Sequence, residues 1–191
     1  DNASVAIQWV GDATRVGTSF SNNNEFAQTP GSLSMTQYLS NRNQADSDNL
    51  SNRTLIDSNS KHYGVFSEID LSGLIWRNDV KRRDRDYYYV DIYNSSSINA
   101  KIGTTNYTYS STLSQSIATA WGKNQYIVGL EKNHWAQYRD YSRAFGYFDN
   151  TSDSKSAYFK NDFDLSSTLT RISVGYRVED MNRYSVGYLY N

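Results

Sequence analysis

Glu68 and Asp70 stand two residues apart. In a strand this places both carboxylates on one face, about 6–7 Å apart. Such a separation is within the range used by paired carboxylates in acid–base hydrolysis, although polar strand faces carry similar pairs without any catalytic role. The histidines are His62 and His134, the second followed by Trp135 and close in sequence to Glu131. Two well-separated histidines in a chain with no cysteine provide no metal-ligand spacing, so His134 is expected to be a polar residue at a strand end. No nucleophile elbow and no nucleophile–base–acid triad can be assembled from the sequence. A non-enzymatic protein without a cofactor is therefore expected. Lys81, Arg82 and Arg83 form a basic cluster, but Asp79, Asp84 and Asp86 interleave with it. This reads as a solvated connector, with anion binding as the lesser alternative. Trp76, Trp121 and Trp135, with the tyrosines of 87–93, suit either membrane-interface girdles or stacking platforms for a sugar.

The elements that would carry these residues are strands. Of 191 residues, 15% are aromatic and 17 are Tyr, a composition that favours β-structure. The one proline, Pro30, leaves long ladders uninterrupted. A net charge of −1 gives no general drive toward nucleic acid. Cysteine is absent, which excludes disulfides and thiolate metal sites. No apolar run is long enough for a transmembrane helix. The mean hydropathy of −0.73 suggests a soluble protein, but it also fits a barrel in which alternate residues are polar. The abrupt start at Asp1 fits a mature form after leader removal.

Alternation is clearest near the end of the chain. Tyr184, Val186, Tyr188 and Tyr190 oppose Ser185, Gly187 and Leu189. Ile172, Val174, Tyr176 and Val178 oppose Arg171, Ser173, Gly175 and Arg177. One face is apolar and aromatic; the other is small or charged. Expected strands are 4–10, 14–20, 63–76, 87–93, 97–109, 113–122, 125–134, 136–147, 156–164, 167–178 and 183–190. Between them lie the charged connector 77–86 and turn signals at 94–97, 122–124, 149–153 and 179–182. The polar stretch 21–62 reads as a long excursion or plug. A short helix is expected near 32–40, after a turn at Thr29, Pro30, Gly31 and Ser32.

The pattern predicts a single all-β domain over 1–191, an antiparallel up-and-down β-barrel of about 8–12 strands in a bacterial outer membrane. The alternative is a secreted, soluble β-sandwich or jelly roll whose apolar faces pack on each other. For the barrel, the lumen-facing set is Glu68, Asp70, Asp91, Lys101, Glu131, Arg171 and Arg177. The lipid-facing or interface set is Trp121, Tyr126, Val174, Tyr176, Val186 and Tyr188. The expected partner is the lipid bilayer, with an oligosaccharide or a protein as further candidates and nucleic acid excluded. The expected role is a passive channel or structural surface protein; a β-rich carbohydrate binder, adhesin or shell subunit is the alternative.

Two resemblances bear on this. Ser185, Gly187 and Tyr190 resemble the C-terminal recognition strand of outer-membrane β-barrels, except that Asn191 stands where a final aromatic is expected. The Tyr-rich region 63–191 resembles small porin-like barrels, which implies a channel. More locally, Asn2 to Gln8 with Gly11, and Ser32 to Gln37 with Asn43 and Ala45, resemble curlin repeats, whose Ser, Gln and Asn ladders imply stacked β-arches and assembly by strand addition.

Overall fold

The computed structural model describes residues 2–28, 34–44, 54–93, 96–142, 146–165 and 170–189. They form one eight-stranded antiparallel sheet with each strand beside its neighbours in sequence. The strands are β1 (Asn2–Val10), β2 (Thr14–Gln28), β3 (Leu55–Leu71), β4 (Leu74–Tyr93), β5 (Ser96–Thr119), β6 (Gly122–Ser142), β7 (Gly146–Leu165) and β8 (Arg171–Tyr188). Among the described residues, β1 and β8 pair with one neighbour each and do not meet. The up-and-down antiparallel architecture matches the expectation, and among the described residues no second sheet packs on this one. The sandwich alternative is thereby set aside.

Several expected boundaries are corrected. The charged connector 77–86 lies inside β4, and the turn signals at 149–153 and 179–182 lie inside β7 and β8. β5 and β6 each join two expected strands. The 21–62 excursion shrinks to 29–54, because Gln28 pairs with Leu55 and the ladder runs unbroken from there to Thr14 opposite Ile69. Polar composition misled in each case: a strand whose two faces are both polar lacks the alternation that reveals it.

The expected short helix is present as α1 (Met35–Ser40). Its cap is Ser34, whose hydroxyl accepts from the Gln37 amide while the Gln37 side chain accepts from the Ser34 amide. The expected turn at Thr29 to Ser32 lies outside the described residues. So β1 is an edge strand of a meander and the 34–40 segment is capped helix, neither of them a stacked β-arch of the curlin kind.

One connection, 29–54, is long; β4–β5 and β6–β7, at the same end of the sheet, span only 94–95 and 143–145. β1–β2, β3–β4, β5–β6 and β7–β8 are joined by short turns at one end of the sheet, while the 29–54 connection lies at the other. Ser72 and Gly73 both take positive φ, 59° and 94°, as a two-residue hairpin requires. The Gly73 amide donates to Asp70 Oδ1 at 2.6 Å and fixes that turn.

The ladder row starting at Val10 passes through Arg15, Glu68, Arg77, Thr112, Gly129 and Tyr158 to Arg177. Its members lie progressively further from the short turns: Arg77 is past Leu74, Gly129 past Gly122 and Arg177 past Arg171. If the short turns share one level, the row climbs about one residue per strand, a strand tilt of about 35°.

Aromatic rings laid over glycines help to fix this register. Gly17 pairs with Phe66, Gly103 with Tyr138, Gly129 with Tyr158 and Gly187 with Phe148. In each pair the ring occupies the space a glycine side chain would need. A Cβ at Gly129 would collide with the Tyr158 ring. Replacing Gly129 with Val should therefore displace Tyr158 and destabilise the sheet by about 1–3 kcal/mol, measured by denaturant unfolding; unchanged stability would contradict this role for the pair.

Candidate functional site: a polar face and its concavity

Cross-strand partners in an antiparallel ladder share a face, so the register sorts every strand residue into one of two sets. The first contains Val5, Ile7 and Trp9 of β1, Val16 and Phe20 of β2, and Tyr63, Val65 and Ile69 of β3. It continues through Trp76 and Val80, Tyr107, Tyr109 and Leu113, Tyr126, Val128 and Leu130, Phe159, and Ile172 to Val178. These residues form a belt near the short-turn end. Most are exposed: Ile7 is 68% accessible, Val174 62% and Tyr176 71%. The lone buried hydrophobic residue among those described is Ala100. Polar groups within the belt are paired. Trp76 Nε1 donates to Ser111, the Tyr109 hydroxyl to Asn78, and Asn124 to the Tyr126 hydroxyl.

The opposite face is mainly polar, with Phe66, Ile75 and Ile127 as apolar exceptions at the height of the belt. Glu68 accepts from Arg15 at 2.6 Å and Arg77 at 3.3 Å. Arg77 also makes a two-pronged pair with Asp79 at 2.8 and 2.9 Å and lies 4.7 Å from the centre of the Phe66 ring. Toward β8, Arg177 meets Glu131 at 3.1 Å and Arg171 meets Asp164 at 2.6 Å. Lys160 meets Asp162 at 2.7 Å.

Of the sequence-predicted polar residues, Glu68, Asp70, Glu131, Arg171 and Arg177 lie together on this face. Lys101 does not. It lies on the other face, above the belt, in register with Tyr88 and Asp140. The alternation around Ala100 and Ile102 is out of phase with that of Tyr107 to Ile117 in the same strand, and it was the local phase that misplaced Lys101. The side chain of Asp91 lies outside the described residues. Tyr126, Val174 and Tyr176 are in the apolar belt, and Trp121 sits in the β5–β6 turn. Val186 and Tyr188 share the belt's face but not its height, because Asp180 and Asn182 intervene. Tyr190 is outside the described residues.

Glu68 is held by two arginines and Asp70 by a turn amide. His134 Nδ1 lies 2.8 Å from Asp153 Oδ1 on the apolar-belt face, above the belt. Among the described residues no group of three metal-ligating side chains occurs.

Sequence reasoning missed a concavity of about 940 Å³ on the polar face of β6, β7 and β8, beyond the level of the belt. Trp135, Tyr141 and Phe148 supply aromatic walls, with Tyr141 and Phe148 edge to face at 6.1 Å. Arg139 and Arg183 also line it. Arg139 donates to Gln137 and Arg183 to the Met181 sulfur, and neither forms an ion pair among the described residues. Ser185 donates to Asn150 at 2.6 Å within the same wall. On the opposite face nearby, the Tyr147 hydroxyl donates to Asp149, and that bond raises the phenol above its ordinary pKa. Two guanidiniums without carboxylates beside aromatic rings can engage an anionic or planar polar solute. The clue lay in the odd-numbered residues of 133–141, whose spacing by two places them on one face.

No protein-family model and no curated protein matches the sequence. The fold is similar to that of the ferric citrate transporter FecA in its unliganded form, with TM-score 0.83 and 12% identity over 97% of this chain. It is also similar to BauA, the ferric preacinetobactin receptor of Acinetobacter baumannii, with TM-score 0.73 and 11% identity over 96% of this chain. Both are outer-membrane β-barrels. The chain spans 30% of the first and 34% of the second. At these identities the likeness is one of fold: the sheet has the form of an outer-membrane barrel wall.

The Glu68–Arg77 pair tests the ion network. Both side chains are partly exposed, at 17% and 39%. A double-mutant cycle of Glu68→Gln and Arg77→Gln should give a coupling of about 1 kcal/mol. Additive losses would mean that the pair contributes nothing to holding β3 on β4.

Proposed function

We propose that these strands form part of the wall of a β-barrel in a bacterial outer membrane, with the apolar belt toward lipid and the polar face toward a lumen that passes a polar solute. The observation that carries this is the belt itself. It is exposed, continuous from β1 to β8, and backed by a mainly polar face. An exposed apolar surface on this scale needs an apolar partner, and a bilayer supplies one along the whole sheet. The strand tilt of about 35° is that of lipid-spanning barrels. Unpaired strand edges are not viable in hydrocarbon. Both β1 and β8 therefore pair with further strands in the membrane-embedded form.

The concavity on the lumen side gives the wall a place to engage its solute before passage. Arg139 and Arg183 favour an anionic solute, and Trp135, Tyr141 and Phe148 favour one with a planar or sugar-like surface. The structural neighbours act on ferric citrate and ferric preacinetobactin, which supports a solute-uptake role over that of a purely structural surface protein. Passage through the lumen with no further machinery, as in a passive channel, is the simplest form of the proposal.

The four tryptophans provide a direct test. Single-tryptophan variants, with the others replaced by Phe, are reconstituted in phosphatidylcholine vesicles. Trp9 and Trp76 should be quenched by brominated acyl chains and protected from iodide. Trp135 should respond to iodide and not to brominated lipid. Lipid quenching of Trp135, or iodide access to Trp9, would overturn the orientation.

A further inference from the structure

The border of the apolar belt toward the 29–54 end is basic on four strands, while β8 carries Asp180 there. On the belt's own face, the first residue past it is Lys61 in β3, Arg82 in β4, Lys132 in β6 and Lys155 in β7. At the short-turn border the same face carries no basic residue among those described; Thr14, Leu74, Asn124 and Leu165 stand there. Arg82 is paired with Asp84, but no ion pair among the described residues engages Lys132 or Lys155. Lys132 and Lys155 are direct cross-strand partners, both exposed. Like charges placed directly opposite each other destabilise a sheet.

Two of the nearby carboxylates have partners of their own. Asp153 holds His134 at 2.8 Å, and Asp84 holds Arg82 at 2.8 Å. Asp180 is the other ladder partner of Lys155 but forms no ion pair with it. On the short-turn side of the lysine pair lie Leu130, Val128 and Phe159, an apolar strip leading down the belt. Tyr109 is opposite Lys132 on the other side. An anion between the two ammonium groups, attached to hydrocarbon lying on that strip, satisfies both surfaces.

We infer that Lys132 and Lys155 form a docking site for the phosphate headgroup of an outer-leaflet lipid, with its acyl chains on Leu130, Val128 and Phe159. Lys61 and Arg82 extend the basic border around the wall. In barrels of this type the longer loops face outward, and the 29–54 connection at this end assigns the leaflet on that basis. The inference rests on the membrane orientation proposed above.

The test uses the purified protein in phosphatidylcholine-containing micelles, titrated with diphosphoryl lipid A and followed by native mass spectrometry. Lipid A should be retained in preference to phosphatidylcholine. The Lys132→Gln/Lys155→Gln variant should bind it on the order of tenfold more weakly. Lys101→Gln, on the same face but farther from the belt, should bind normally, and millimolar inorganic phosphate should not compete. In lipid-free detergent the double variant should melt no lower than the parent, since a like-charge pair has been removed, so its binding loss is not misfolding. Equal binding by the double variant, or displacement by inorganic phosphate, overturns the site. If Trp9 and Trp76 are quenched by brominated lipid while the lysines confer no preference, the lipid site fails and the membrane orientation stands. If neither tryptophan is quenched, both fall.

Discussion

The structure depends on one constraint: an apolar belt lies on the outside of a single sheet, with no opposing layer to cover it. An ordinary domain gains stability by removing such side chains from water. Here Ile7, Val174 and Tyr176 remain largely accessible, while Ala100 is the hydrophobic residue that is buried. The interactions visible within the sheet are its ladders, the rings seated on glycines and the ion pairs of the polar face. On the proposed orientation the missing hydrophobic contribution comes from lipid, and the polar groups inside the belt must be paired with one another. The Trp76–Ser111, Tyr109–Asn78 and Asn124–Tyr126 bonds do this.

The same constraint explains why the strands are longer than the belt. β5 runs for 24 residues and β6 for 21, whereas about 9–11 tilted residues cross a bilayer. The remainder rises past the border as sheet in which polar and aromatic residues occur on both faces. In that upper part lies the concavity between Arg139 and Arg183. On the proposed orientation, such a wall separates its tasks by height: lipid contact near the short turns, solute contact beyond them. Rigid strands, and not loops alone, then carry the recognition residues.

Much of this was legible from alternation, but only where the belt enforces it. Tyr126, Val128 and Leu130, and Ile172 to Val178, announce their face because lipid-like surroundings select every second residue. So do Glu68, Glu131, Arg171 and Arg177 opposite them. Above the belt neither face needs apolar residues, and the period-two signal disappears. That is why 77–86, 149–153 and 179–182 read as connectors although they are strand. It is also why Lys101 was placed on the wrong face and Val186 and Tyr188 at the wrong height. The strands between 21 and 28 and between 55 and 62 are hidden for the same reason, since polar residues predominate on both of their faces. The concavity was invisible because its residues come from three strands, and only the register brings them together.

The central claim is that β8 meets lipid along Ile172–Val178 and water beyond Asp180. The chain has no cysteine, so single cysteines can be introduced along 171–188 without background and spin-labelled in reconstituted vesicles. Oxygen accessibility should exceed that of a water-soluble nickel reagent at 172, 174, 176 and 178. It should fall at 173, 175 and 177, and the preference should reverse at 184, 186 and 188. Uniform water accessibility along the strand, or lipid contact at 186 and 188 as strong as at 174, would contradict the account.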